Sequence, residues 1–284
     1  MLIVISVALT VPALVVVVLW LFRRMDARTD RLAWEWLLRR GDPNPGHFDP
    51  ESVNDLPEPA QRYFRYTISS GAPLWTVAQI EMTGELGLGT KATPNYRVMR
   101  AKQILAPPFG LVWRLKAGAI SGSDGILRET SWTRFWLFNL LPVVRVAGTN
   151  DHLRSAFGRV VAEAAIWVPA SLLPSDRVTW DCVNDDTARA MVRSAGQSQA
   201  VEITVAASGQ PIQIVIRRWS NANPQKQFRW QSFGGTLGAF REFDGYFLPT
   251  RVEGGNLIGT KDYFPFYRAR VSNISLAGQM ATPR

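Results

Sequence analysis

From Leu2 to Phe22 the chain carries no charged side chain, and only Ser6, Thr10 and Pro12 interrupt an otherwise apolar run. A helix of that length rises about 30 Å, the thickness of a bilayer's hydrocarbon core. A cleaved secretory leader would need a basic start, a shorter apolar stretch and small residues at its end. Here the run closes on Leu19-Trp20-Leu21-Phe22. Residues 1–22 are therefore expected to be a retained, single-pass transmembrane anchor. Arg23, Arg24, Arg28, Arg31, Arg39 and Arg40 follow the run, and no basic side chain precedes it. Positive charge is retained on the cytoplasmic side, so the remainder of the chain is expected there.

Residues 23–58 read as a basic interfacial segment followed by a linker. Leu32, Trp36 and Leu37 fall near one face of a helix that could lie along the membrane surface. Pro43, Pro45, Pro50, Pro57 and Pro59, with Gly41 and Gly46, forbid long regular structure up to residue 59. Residues 59–284 are expected to form one globular domain. Hydrophobic residues make up 46% of the chain and charged residues 19%, which supports a packed core and argues against disorder. Eleven tryptophans need a core, a cavity or a membrane interface to cover them. The net charge of +9 fits attraction to anionic membrane lipids, and no nucleic-acid-binding motif accompanies it.

The domain's pattern is mostly period two. Ala78–Leu86, Tyr96–Leu105, Leu111–Ala117, Ala119–Arg128, Val201–Ala207, Gln213–Trp219, Phe228–Trp230 and Tyr263–Ile274 read as strands. Ser208-Gly209-Gln210-Pro211 and Asn184-Asp185-Asp186 read as turns. A short helix fits Glu58–Ser69. A longer one fits Asp151–Trp167, capped by Asn150 or Asp151, with Leu153, Phe157, Val160, Val161 and Ala164 on one face. It ends before Pro169, which disfavours a helical Val168. Phe135–Leu141 is apolar but too short to span a bilayer; a core helix is expected, with an exposed, membrane-dipping lip as the alternative. The expected class is α+β and β-rich: a curved antiparallel sheet, open or a half barrel, with one packing helix behind the N-terminal anchor.

Chemistry-bearing motifs are few. His47 and His152 are the only histidines and Cys182 the only cysteine, so ordinary zinc spacing is absent and no intrachain disulfide can form. Cys182 sits in a strand-like segment and is expected to be a buried, inert thiol. A histidine-based triad would have to use His152, and no Gly-x-Ser-x-Gly elbow accompanies it. Gly84–Lys91 has the wrong order for a phosphate loop, and Pro94 blocks the helix that would follow. No cofactor, metal or catalytic residue is assigned. By 100° steps His152, Arg159 and Glu163 form a stripe beside the long helix's apolar face; Arg159 and Glu163 are an i,i+4 pair, and if the stripe faces a cavity Glu163 is expected to pair with an arginine from the sheet.

Several stretches resemble an uncharacterised bacterial family of membrane-anchored, β-rich proteins, a domain of unknown function. They are Leu56-Pro57-Glu58-Pro59 with Arg62-Tyr63-Phe64, then Ala101-Lys102-Gln103 with Pro107-Pro108-Phe109, then Trp113, Ala117 and Asp124-Gly125. Ala162–Pro169 with Leu172-Leu173, Trp180 and Asp244–Thr250 follow. The likeness covers about residues 56–275 and carries no activity with it. After Asp124-Gly125 this chain has Trp132, Phe135 and Trp136 where the family has smaller residues. The Asp244–Val252 segment and the strand after it also resemble the last hairpin of the envelope lipoprotein carriers. That likeness implies an open curved sheet with a helical lid over an apolar cavity.

Three functions fit these readings. The first is a non-catalytic, membrane-anchored domain that holds a lipid or other apolar ligand between sheet and helix, touching Trp113, Asp124, Phe157, Glu163, Trp167 and Trp180. The second is a tethered protein-interaction module with a solid core. The third is an enzyme using Glu163 or Asp124 as base. A cavity separates the first from the second, and the state of the two carboxylates bears on the third.

Overall fold

The computed structural model describes residues 2–276, with side chains from Ala13 onward. One sheet of thirteen antiparallel strands organises the chain. The first group is β1 (Ala78–Gly87), β2 (Tyr96–Ala106), β3 (Gly110–Ala117), β4 (Ile120–Leu127), β5 (Thr130–Leu137) and β6 (Leu141–Ala147). The second is β7 (Val178–Asn184), β8 (Thr187–Ser194), β9 (Gln197–Val205), β10 (Pro211–Ser220), β11 (Arg229–Phe243), β12 (Tyr246–Asn256) and β13 (Phe264–Leu276). Each group is a meander, and the two join where β1 pairs with β13, leaving β6 and β7 as the open edges.

Helix α3 (Asn150–Trp167) connects those two edges and packs against β4 and β5 as well as β9 and β10. Its 18 residues make a rod about 27 Å long. In a flat sheet the nine strand spacings between β5 and β9 would measure about 43 Å. One helix touches both only because the sheet curls around it. The expected curved, open antiparallel sheet with a packing helix is thus the observed architecture.

The helix differs from expectation in two ways. Its cap is Thr149, whose side chain accepts from His152 N. Its apolar surface is also not a single stripe: Gly158, Ala162, Ala165 and Trp167 are buried along with Phe157, Val160, Val161 and Ala164. The curled sheet covers one side. Helix α2 (Glu58–Thr67) and the turn Pro169–Leu172 close in nearby, with Tyr63 Oη donating to Ala165 O at 2.9 Å. Leu153 is only half-buried, Arg154 is exposed, and Ser155 is half-buried.

Helix α1 (Leu2–Leu38) continues past the apolar run and lies on the other face of the sheet. Period-two alternation explains how both faces become buried. Ile104, Val112 and Trp132 meet Ala33 and Leu37 of α1, while Leu105, Leu111 and Trp113, one residue out of phase, join the core beneath α3. Trp132 lies where Gly125, its cross-strand neighbour, has no side chain; a Cβ there would come within 2.5 Å of the indole. Asp26 is buried and accepts from Arg145 and from Trp136 Nε1, with Arg134 also in ion-pairing range. The segment after the apolar run therefore docks on the sheet. Asp30 lies beside Ser123 on the same face, and burial raises its pKa. Residues Pro50–Val53 form one 3-10 turn inside the proline-rich stretch.

Phe135–Leu141 is not a helix. It is the end of β5, a turn and the first residue of β6, with Phe138 and Asn139 at positive φ as a tight hairpin requires. Cys182 is exposed rather than buried, because β7 is an edge strand and its second half lacks cover. Strands β5, β6 and β8 have no counterpart in the period-two reading, and β12 falls on the segment that resembles the last hairpin of the lipoprotein carriers. Among the described residues no helix is long and apolar enough to cross a membrane. The expected anchor falls partly on residues 1–12, whose side chains lie outside the described set.

Phe157 is 3% exposed and central to the contact between α3 and the sheet. Phe157→Ala should cost about 3–5 kcal/mol in denaturant unfolding. A loss under about 1 kcal/mol would show that α3 is not packed in this way.

Candidate functional site: a cavity beneath the crossing helix

Strand register sets one wall of the site. Gln103 of β2 pairs with Trp113 of β3, Trp113 with Asp124 of β4, and Asp124 with Thr133 of β5. Residues directly opposite in adjacent strands share a face, so the four form a row across the sheet's inner surface. Helix α3 lays Arg159 and Glu163, one turn apart, over that row. Arg159 Nη1 donates to Asp124 Oδ2 at 2.7 Å and its Nε to Glu163 Oε1 at 2.5 Å. Its guanidinium also lies over the Trp113 ring, 5.0 Å from the centroid. Gln103 Nε2 donates to Glu163 Oε2, and Thr133 Oγ1 to Asp124 Oδ1 at 2.7 Å. All four carboxylate oxygens thus accept a hydrogen bond. Arg159, between two carboxylates, has its pKa pushed up against the opposing effect of burial.

His152 extends the network without reaching the cavity. Thr133 gives its hydroxyl proton to Asp124, so its oxygen accepts from His152 Nε2–H at 3.0 Å. The other ring nitrogen, Nδ1, then accepts from the Ser131 hydroxyl at 2.7 Å. Burial lowers the His152 pKa, in keeping with this neutral ring. Ser131 is buried, and neither it nor His152 lines the cavity, so this serine–histidine pair has no surface for a substrate.

Beside the network lies a cavity of about 250 Å³. Its walls are mostly apolar, from Leu86, Trp113, Ile166, Trp167, Ile214, Phe233, Leu237, Val252, Phe266 and Tyr267. Asp124, Arg159, Glu163 and Arg218 supply a polar pole. The space comes from missing side chains. Gly235 of β11 and Gly254 of β12 are paired directly opposite and both line the cavity. Glycine in a strand interior marks a close approach of backbone or ligand. Gly235 is constrained by the backbone of the neighbouring strand, since a Cβ there would sit 1.8 Å from Glu253 O of β12. Gly254 is not: a Cβ would find its nearest atom at 3.6 Å.

Four of the six residues expected to touch a ligand line this cavity: Trp113, Asp124, Glu163 and Trp167. Phe157 packs in the core beneath α3. Trp180 lies against Tyr63 and Phe64, its Nε1 donating to Leu172 O at 2.9 Å. Glu163 does pair with an arginine, but with Arg159 of its own helix. Sequence reasoning missed Arg218 and the facing glycines. The Gly234-Gly235 and Gly254-Gly255 pairs inside strand-like runs were the available signal.

Asp124, Arg159 and Glu163 form a mostly buried ionic group, with side chains 24%, 14% and 13% exposed. Removing its one cation leaves two facing carboxylates without compensation. Arg159→Met should therefore destabilise by about 3–5 kcal/mol in urea unfolding. The triple variant Arg159→Met, Asp124→Asn, Glu163→Gln should recover much of that loss, because it leaves no uncompensated charge. Equal loss in both proteins would mean that packing around Arg159, and not charge compensation, is what the single substitution destroys.

No curated protein matches the chain. Among solved structures it is similar to a LolA superfamily protein from Nitrosomonas europaea, at 10% identity and a TM-score of 0.41, over 77% of this chain and 91% of that one. It is also similar to a putative outer membrane lipoprotein-sorting protein domain from Vibrio parahaemolyticus, at 11% and 0.40, over 82% and 96%. A DUF1329 family protein from Desulfovibrio piger follows, at 9% and 0.40, over 71% and 86%. Residues 46–269 match DUF6544, a family of unknown function, and the chain belongs to that family.

Proposed function

We propose that the chain is a membrane-tethered, non-catalytic binding protein that holds a single apolar chain in the cavity between α3 and the sheet. The observation that carries this reading is the mostly apolar cavity, opened by Gly235 and Gly254 in the middle of an otherwise well-filled sheet. A filled interior would have favoured the interaction-module reading. The volume of about 250 Å³ lies just under the roughly 300–1,000 Å³ of drug-sized ligand sites. It suits one hydrocarbon chain rather than a whole two-tailed lipid. The enzyme reading loses support because Asp124 and Glu163 are committed to Arg159, Thr133 and Gln103, with no oxygen left without a donor.

The tether rests on the uncharged run and on what surrounds its end. Leu14 through Val18, Trp20, Leu21 and Phe22 are each 40–64% exposed. So long a stretch of uncovered apolar helix calls for lipid or a partner. Arg23 Nη2 donates to Asn139 Oδ1 at 3.3 Å, which ties the end of the run to the β5–β6 turn. Phe138, 73% exposed, occupies that turn, and Leu141, Val143, Val144 and Val146 are exposed along β6. In this reading the hairpin is a lip that dips into the bilayer beside the anchor, and the globular domain lies on the cytoplasmic side.

Two experiments test the proposal. Gly254→Leu adds a side chain where a Cβ meets no clash and fills the cavity. It should leave the unfolding midpoint near that of the wild type while abolishing uptake of a fluorescent long-chain alcohol. Unchanged uptake in a folded variant would place the ligand elsewhere or nowhere. The side of the membrane is read by the chain's own reporter, because Cys182 is its one cysteine and is exposed. A membrane-impermeant maleimide should label it only after intact cells are permeabilised. Labelling of intact cells would reverse the orientation.

A further inference from the structure

The cavity's polar pole contains two guanidinium groups, and they differ in how they are used. Arg159 is held by two carboxylates. Arg218, from β10, has its Nε engaged with Ser155 O at 3.2 Å and Ser155 Oγ at 3.1 Å. Its guanidinium lies over the Phe233 ring, 4.8 Å from the centroid. Ser155 and Phe233 thus fix its position from two sides. An arginine carries five N–H donors. Among the described residues no acceptor takes those on Arg218 Nη1 and Nη2, and no carboxylate is within ion-pairing range. The group is half-buried and lines the cavity. Burial lowers its pKa to about 10, so it remains a cation at neutral pH.

A fixed, desolvated guanidinium with an open fork is suited to a planar or tetrahedral anion, which it binds through two parallel N–H···O bonds. The rest of the cavity is apolar. Ile214, two residues along from Phe233's register partner on β10, and Leu237 and Val252, paired across β11 and β12, line it with side chains that suit hydrocarbon. A second buried donor lies in the same lining: Trp113 Nε1 has no acceptor.

We infer that the ligand is a single-chain amphiphile with an anionic head, such as a long-chain carboxylate or a monoalkyl phosphate, whose head is bound by Arg218. This deepens the proposed function and rests on its cavity. The head would exchange its water shell for the Arg218 fork, while the chain runs over Ile214, Leu237 and Val252. Asp124 and Glu163 act on Arg218 through their charge, but neither comes within ion-pairing range of it, and both are held by Arg159, Thr133 and Gln103.

The test uses the full chain in detergent-free nanodiscs, with palmitate, hexadecyl phosphate, methyl palmitate and hexadecanol competing against a fluorescent long-chain alcohol. Wild type should bind the two anions about tenfold or more tighter than the two neutral compounds, since a hydrogen bond to a charged group contributes about 1.5–3 kcal/mol. Arg218→Gln should erase that preference, so that all four compounds bind the variant within about twofold of one another, and an unfolding midpoint near that of the wild type shows that the variant is folded. Arg218→Lys should keep part of it. A preference for palmitate over hexadecyl phosphate, or the reverse, identifies which head the fork was built for. If wild type binds all four alike, or Arg218→Gln keeps the preference, the Arg218 head site is overturned and the apolar cavity stands. If none of the four displaces the probe and the probe itself does not bind, the cavity reading falls and the head site with it.

Discussion

A chain that lays down six strands outward from β1 and then resumes at the opposite edge has to cross the sheet, and α3 is that crossing. The remaining architecture follows from it. The sheet must curl for one helix of 18 residues to touch both β5 and β9. A curl of that kind has an inner surface too large for one helix to fill. Along most of α3 the filling is completed by side chains such as Phe157, Val160, Val161 and Trp167. Opposite β11 and β12 it is not completed, because Gly235 and Gly254 stand side by side. The cavity is therefore local and has an identifiable origin in two residues.

The ionic group at the cavity's pole fixes where the helix sits. Hydrophobic contacts alone would tolerate sliding of α3 along the inner surface, since they are not directional. The helix cannot slide without breaking the bond from Arg159 to Asp124 on β4 and the bond from Gln103 on β2 to Glu163, while the Arg159–Glu163 pair within α3 holds the two side chains together. Ion pairs of this sort contribute less to net stability than their number implies, because desolvation offsets attraction. Their effect is on register. The same element then presents Arg218 to the cavity through Ser155, so the position of the helix and the polarity of the site are coupled.

Much of the fold could be read in advance, for reasons that particular segments make plain. β1 and β10 alternate because one face is buried and the other is largely wet, and α3 shows a helical period ended by Pro169. Strands buried on both faces, or on neither, defeat that logic. Gln103–Ala106 is buried throughout because α1 covers the outer face there, and β6 is exposed throughout because it is an edge. The end of β5 and the turn into β6 defeat it as well: Phe135–Leu141 is apolar but for Asn139, and such a run has no period that separates strand from helix. Of the cavity lining, Trp113, Asp124 and Trp167 were named through the family resemblance and Glu163 through the helical stripe. Arg218 was not, because one arginine in a strand with two, Arg217 and Arg218, gives no sign of which faces inward. The facing of Gly235 and Gly254 depends on the pairing of β11 with β12, which the sequence leaves undetermined.

In the proposed function one apolar chain occupies this cavity in the cell. Native mass spectrometry of the full-length protein, extracted from its own membranes in mild detergent, addresses it directly. A population heavier than the bare chain by the mass of one single-chain amphiphile, released as an anion on activation, is the expected result. A spectrum holding only the bare chain, or carrying a ladder of intact two-tailed phospholipids without a defined single-chain adduct, would contradict it.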